Sequence, residues 1–388
     1  MTQTSADEDF DEDLINDYRE GFNDHYEIIL NCIATLEATP NNDETIDEMF
    51  RSMHTVKGNA RILMFAQLAE FLHSIEESIS AAREHKITFT ALLGEAITLS
   101  LDKAKEISEK IFSHSVDDDP SIETISSVFL QMQTCKQNEV DPLCAIIIKE
   151  VTGFDIEATN INTELTIPEP IKGSQIIEPQ FSTEMVQEMI LYIDEKTPEH
   201  LKERLGYMRY LALLLESKIP HWQGRTFQLL KLSKVFNQAM DNPLENHQIE
   251  MAVYLHDMAF SFLPNSLMLK KEKFNTDELA LMQTHTQIAA DFIGINDEWK
   301  EARDIVLQHH ERSDGGGYPN KLVDEQICIG AKMLSIVDAF MAMAAPRPDR
   351  PYKRSVLTAL NEIKSNSGTQ FSKDLVPVFI GILVKTLK

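Results

Sequence analysis

Two groups of residues in this 388-residue chain have types and spacings suited to chemistry. The first lies in MFRSMHTVKGNARIL, where His54, Lys57, Gly58 and Arg61 recur at offsets of three, four and seven. Those offsets put all four on one face of a helix. A neutral, exposed imidazole can attack a phosphoryl group. An ammonium one turn away offsets the charge that arrives. A glycine one turn away leaves space for an incoming partner. Glycine in mid-helix costs about 0.8–1.0 kcal/mol relative to alanine, so Gly58 points to a purpose. On spacing alone, a surface histidine beside a surface lysine is an equally good reading.

The second group is spread over four segments. AVYLHDMAF ends an apolar helix on His256-Asp257, and MQTHTQIAADFI carries His285. IVLQHHERSDGGGYP carries His309-His310, then Glu311, Asp314 and a turn; MLSIVDAFMAM carries Asp338 among apolar neighbours. Histidine and carboxylate together suit iron, manganese or zinc. Adjacent histidines cannot share a helical face, so His309 and His310 either point toward neighbouring metals or sit where the helix frays. A buried carboxylate needs a partner, and a metal is a good one. Two metals about 3.5–4 Å apart would activate a water and stabilise the charge on a phosphodiester. Each signal is weak alone; the set, in this order and on helices, is not.

The elements that must position these residues are helical throughout. Phe10, Leu14, Tyr18, Phe22, Tyr26, Ile29 and Leu30 recur at three and four until Pro40-Asn41-Asn42. Further helices are predicted over 43–62, 65–83 and 90–112, with a shorter one after Pro120. The prediction is an antiparallel bundle. Residues 1–9 read as a disordered acidic tail, 10–136 as the bundle, and 137–180 as a linker. Its IPEPIKGSQIIEP holds three prolines and a glycine. Helical periodicity returns from 181 to 388, with helices predicted over 183–195, 199–216, 226–240, 249–259, 276–293, 299–308, 331–344, 355–366 and 375–387. The fold class is therefore all-α, in two domains.

Composition limits the function. Lys and Arg number 36 against 62 Asp and Glu, a net charge of −26. This argues against a nucleic-acid polymer as partner and against anionic membrane surfaces. The cysteines Cys32, Cys135, Cys144 and Cys328 form no C-x-x-C pair and read as reduced thiols. The longest apolar run, VPVFIGILV, is far below the ~20 residues that span a bilayer. A cytoplasmic protein is expected.

Two resemblances sharpen these readings. H-T-V-K-G-N-A resembles the H-x-x-K-G-x-A signature of histidine phosphotransfer (HPt) domains, four-helix bundles that exchange phosphate with response-regulator aspartates. The resemblance implies that His54 is the phosphoacceptor, supported by Lys57 and Gly58. It also implies a response-regulator receiver domain or a hybrid histidine kinase as partner. His73 reads as a half-buried packing histidine. No Gly-rich ATP-binding signature follows, so phosphate must come from another protein.

L-H-D, T-H-T, H-H-E-R-S-D-G-G-G-Y-P, V-D-A-F, D-R-P-Y-K and G-T-Q-F resemble the HD-GYP branch of the HD phosphohydrolases. That branch is all-α, binds two or three metals and hydrolyses cyclic di-GMP to pGpG or GMP. The resemblance implies metal ligands His256, Asp257, His285, His309, His310 and Asp338, with Asp257 also positioning the attacking water. It implies two divalent ions, Fe or Mn, and a pocket wall of Gly317, Tyr318 and Pro319. Arg350 and Lys353 would contact the phosphates. Two positions depart from the family. Aligning HWQGR on Arg225 puts Trp222 where the family has a histidine ligand, with His221 one residue off. Phe260 stands where it has a lysine. These departures keep open a second reading, a degenerate domain that binds metal or nucleotide as a sensor or scaffold without turnover.

Overall fold

A computed structural model describes residues 12–113, 115, 119–155, 196–219, 222, 224–268, 270, 273–295, 297–344 and 355–386. They fall into two compact units, divided between residues 163 and 164. Among the described residues the regular structure is helical; β pairing is limited to the isolated bridges Asp314–Val323 and Ser367–Phe371. No helix among them is long and apolar enough to cross a membrane.

The first unit is built on α1 (Glu12–Ala38), α2 (Asp43–Ile62), α3 (Ala66–Arg83) and α4 (Ala91–Phe112). The stripe expected on α1 is the buried one: Tyr18, Phe22, Tyr26, Ile29 and Leu30 face the core. Packing of such stripes, more than local propensity, holds helices of this length. Asn42 starts α2 by accepting a hydrogen bond from the Thr45 N–H, and Thr90 starts α4 by accepting one from Leu93. Each such cap stabilises by about 1 kcal/mol. α5 (Ser121–Gln131) follows.

The linker expected over 137–180 is corrected at its start. Gln137–Thr152 forms a helix, α6, that packs on α4 and α5. Val140, Cys144, Ile147 and Ile148 are its buried face, a stripe at helical spacing that the surrounding polar residues and Pro142 concealed. Gly153, in the left-handed conformation at φ 74°, ends it. The rest of the expected linker, the tail 1–9 and the helix expected over 183–195 lie outside the described residues.

The second unit comprises α7 (Glu199–Lys218), α8 (Arg225–Ala239), α9 (Asn246–Leu255), α10 (Asn265–Met268), α11 (Thr276–Gln283), α12 (His285–Ile293), α13 (Lys300–Gln308), α14 (Ile329–Ala344), α15 (Val356–Ser365) and α16 (Leu375–Thr386). Phe236, Trp299, Phe340 and Phe379 are fully buried at its core. Two expected helices are shorter than their periodicity suggested. The one over 249–259 stops at Leu255, passes through His256-Asp257, and continues as a 3₁₀ turn, Met258–Phe262. The one over 276–293 breaks at Thr284, whose hydroxyl donates to the Leu281 carbonyl at 2.6 Å. Both interruptions fall beside histidines, so His256 and His285 sit at helix ends.

Candidate functional site

In the first unit, His54 projects from α2 with 65% of its side chain exposed. Its Nδ1–H donates to Glu76 Oε1 of α3 at 2.7 Å. That bond fixes the tautomer and leaves Nε2 as the free nucleophilic nitrogen. Glu76 Oε2 accepts from Lys57 Nζ, and from His73 Nδ1 at 3.3 Å. Glu76 is 4% exposed and Lys57 8%. Burial alone would raise the Glu76 carboxyl, but bonds from Lys57, His54 and His73 hold it below the usual range. Lys57 therefore meets a buried carboxylate and is not the surface lysine of the plainer reading. A methyl group added at Gly58 would meet nothing within 4 Å, so that face is open. Sequence reasoning missed Glu76. Its only signal was a carboxylate one turn after His73.

In the second unit, the six expected ligands form two adjoining sets. The ligand atoms of His285, His309 and His310 lie within 4.8 Å of one another, and so do those of His256, Asp257 and Asp338. His309 and His310 follow the last residue of α13, with ring centroids 4.1 Å apart. The helix ends before them, and the ligand atoms of both rings lie in the set with His285.

The protons on these rings are fixed by the backbone. His256 Nδ1 donates to the Val253 carbonyl at 2.8 Å, His285 Nδ1 to Met282 at 2.7 Å, and His309 Nδ1 to Val306 at 2.8 Å. The Nε2 atoms of His285 and His309 are buried without a hydrogen-bond partner, and that of His256 lies 3.1 Å from Asp257 Oδ2. Imidazoles anchored at Nδ1 with Nε2 turned inward have the form of metal ligands. Burial lowers His285 and pushes His310 down to about 4, with neighbouring histidines adding to the effect at His310. The His309 imidazole is also held well below its ordinary value, by burial first and then by the neighbouring histidines. The rings thus keep their lone pairs at neutral pH. Burial opposes charge on His256, but Asp257 and Asp338 outweigh it and raise that ring to about 10. Asp257 and Asp338 are held ionised against burial, Asp257 chiefly by His256 and Asp338 chiefly by Arg225. A proton and a metal ion compete for such an Nε2. The donor set fits a divalent cation.

The GGGYP turn closes over this cluster. Tyr318 N–H donates to the His310 carbonyl at 3.2 Å, and its ring stacks on His310 with centroids 4.9 Å apart. A methyl group at Gly317 would lie 2.6 Å from both Glu311 Cα and the His310 carbonyl oxygen, so the backbones touch there. Pro319 follows through a cis peptide bond. Glu311 is not at the metal sets; its carboxylate accepts from Asn320 N–H at 2.6 Å and Leu322 N–H at 2.9 Å, holding the loop. Asp314 is paired with Arg312 at 2.7 Å.

The two departures from the family are neighbours in space. Trp222 and Phe260 have ring centroids 6.1 Å apart, and Phe260 lies 4.6 Å from His285. The Arg225 guanidinium donates to Asp338 and lies 3.4 Å from Asp257 Oδ2. Sequence reasoning used Arg225 only for alignment and missed this contact. Arg350, Lys353 and His221 lie outside the described residues.

With this geometry in hand, the class is plain: residues 14–107 match the Hpt domain family and residues 209–375 the HD domain family, so the chain carries an Hpt domain followed by an HD domain. Three relatives give particulars. The cyclic di-GMP phosphodiesterase response regulator RpfG of Xanthomonas campestris pv. campestris is 29% identical over 182 residues, covering 45% of this chain and 48% of that protein. The 3'3'-cGAMP-specific phosphodiesterase 2 of Vibrio cholerae is 30% identical over 139 residues, 35% of this chain and 26% of that one. The chemotaxis protein CheA of Borreliella burgdorferi is 33% identical over 112 residues, 28% and 13%. This chain thus spans half or less of each relative's length.

Proposed function

We propose that this chain is a signalling protein in which phosphate exchange at His54 regulates hydrolysis of cyclic di-GMP by the HD domain. The carrying observation is the pair of buried, unpartnered Nε2 atoms on His285 and His309, each ring anchored at Nδ1 by a backbone carbonyl, beside the His256, Asp257 and Asp338 set. His256, Asp257, His285, His309, His310 and Asp338 would hold a pair of divalent ions, Fe or Mn. A bound divalent ion lowers the pKa of water and stabilises charge on a phosphodiester. The Asp257 carboxylate, kept ionised by His256 and Arg225, would accept a hydrogen bond from the attacking water and orient it, and the water's proton passes to solvent. The water oxygen–phosphorus bond forms as the phosphorus–ribose oxygen bond breaks, and the leaving oxygen takes a proton from solvent. One such cut gives a linear dinucleotide and a second gives mononucleotides. Tyr318, held against His310, and the close-packed Gly317 and Pro319 form the pocket wall. Arg350 and Lys353 would receive the phosphates.

His54 Nε2 would take its phosphoryl group from a receiver-domain aspartate or a hybrid kinase and return it. Lys57 and Glu76 orient the ring, and open space at Gly58 admits the partner. The setting this implies is the cytoplasm. The test is turnover by the full chain of cyclic di-GMP and of 3'3'-cGAMP with Mn or Fe, before and after phosphorylation. The second reading, a domain that binds without turnover, is favoured by Trp222 and Phe260, packed together beside His285. Bound cyclic di-GMP that is recovered intact would select it.

A further inference from the structure

A phosphoryl group arriving at His54 Nε2 brings roughly −1.5 to −2 charge into a chain already at −26. Lys57 is poorly placed to meet it. Its Nζ is bonded to Glu76 Oε2, and only 8% of its side chain is exposed. The other Glu76 oxygen holds His54 Nδ1 at 2.7 Å. The lysine balances the buried carboxylate, and the phosphoryl oxygens call for a second cation.

One is carried beside the imidazole. Phe50, one turn before His54 on α2, lies alongside it, with ring centroids 6.3 Å apart and 25° between the planes. Arg83, the last residue of α3, places its guanidinium carbon 3.7 Å from the centroid of that same phenyl ring. The negative face of the ring attracts the cation and seats it there. The neighbouring Glu84 carboxylate is taken by Lys86 at 2.8 Å, and among the described residues no carboxylate pairs with Arg83. The guanidinium fork matches the oxygens of a phosphoryl group. Its long stem lets it slide off Phe50 toward His54 without either helix moving. Arg51, also one turn from His54, is exposed and has no such seat. A cation in the last turn of α3 also suits the helix dipole, a role indifferent to phosphate.

We propose that Arg83, seated on Phe50, binds the phosphoryl group on His54 Nε2, while Lys57 serves to balance Glu76. The proposal rests on the reading of His54 as the phosphoacceptor. In the transfer the Nε2 lone pair forms the nitrogen–phosphorus bond. The donor's oxygen–phosphorus bond breaks, and its electrons leave with the aspartate carboxylate. The Nδ1 proton stays in its hydrogen bond to Glu76. Arg83 donates N–H bonds to the phosphoryl oxygens and transfers no proton.

The test is phosphorus-31 NMR of the full chain, phosphorylated with phosphoramidate and titrated with acid. A positive charge nearby disfavours the protonated phosphoimidazole. The titration midpoint should therefore rise by about 1 pH unit in Arg83→Met, which keeps an unbranched stem on Phe50 and removes the charge. It should stay near the parent value in Arg83→Lys and in Arg51→Met. Glu76, Lys57 and His73, the titratable groups gathered at His54 from α2 and α3, are the same in every variant. An unmoved midpoint in Arg83→Met would overturn the proposal. So would an Arg83→Lys midpoint equal to that of Arg83→Met, or a larger rise in Arg51→Met. The parent alone gives a second readout: the Arg83 Nε–H resonance should shift on phosphorylation, and an unmoved resonance would overturn the proposal whatever the variants do. A parent that takes no phosphate at His54 would instead overturn the phosphoacceptor reading beneath it.

Discussion

Glu76 is the residue on which the phosphotransfer site turns, and its replacement by glutamine has a calculable effect. One carboxylate oxygen fixes His54 at 2.7 Å and the other takes Lys57 and His73. A hydrogen bond to a charged group contributes about 1.5–3 kcal/mol. Glutamine keeps an acceptor oxygen but loses the charge, which forfeits about half of that and converts to roughly a 4- to 13-fold slower phosphorylation of His54. The substitution also leaves Lys57 buried without a counter-charge, and breaking a buried pair costs about 3–5 kcal/mol. Poor folding would confuse the kinetics, so the informative variant is Glu76→Gln with Lys57→Met. Removing both charges together is often near neutral in stability. The assay is phosphorylation of the purified chain by phosphoramidate, followed by intact mass, with His54→Gln as blank. The double variant should melt near the parent and phosphorylate roughly 4- to 13-fold more slowly. A double variant that folds and reacts at the parent rate would refute the orienting role of Glu76.

Four further outcomes follow from the same geometry. Because Glu76 is held below its usual range, its folded-state pKa lies below its unfolded one; its stabilisation is full above about pH 4.5 and is lost as pH falls through the folded value. Melting of the Glu76→Gln variant should therefore fall short of the parent at pH 7 and converge on it as pH falls through that folded value. Gly58→Ala should stabilise α2 by about 0.8–1.0 kcal/mol, since its methyl meets nothing, yet slow phosphate exchange with a receiver domain by crowding the docking face; denaturant melts and transfer kinetics read the two effects separately. Gly317→Ala should cost about 1–3 kcal/mol and lower metal retention, because its methyl would strike the backbone of Glu311 and His310. Manganese at a hundred times its dissociation constant should stabilise the HD domain by about 2.7 kcal/mol, reversed by chelator and absent in His309→Ala, as read by thermal melts.

Much of this was legible in the residues, for identifiable reasons. The helical stripes of α1 to α4 carry strong three- and four-residue periodicity, and the buried faces follow it. His256, Asp257, His285, His309, His310 and Asp338 could be assembled because ligand chemistry restricts which residue types serve. What escaped was tertiary. Glu76 looks like any helical glutamate until α3 is packed against α2. Arg225 looks like a start-of-helix arginine until α14 brings Asp338 to it. α6 was hidden because Pro142 and its polar neighbours masked four apolar positions that matter only against α4 and α5. The breaks at His256 and Thr284 lie within continuous apolar periodicity, which reports a face and not the point where the helix ends.

The central claim is that the HD domain hydrolyses a cyclic dinucleotide at the clustered histidines and aspartates. The most direct measurement is incubation of the purified chain with cyclic di-GMP and anaerobic Mn or Fe, with products separated by chromatography and the His256→Ala/Asp257→Ala double variant as control. The account predicts pGpG or GMP from the parent and none from the control. Intact cyclic di-GMP after incubation with metal-loaded parent, or equal product from the control, would contradict it.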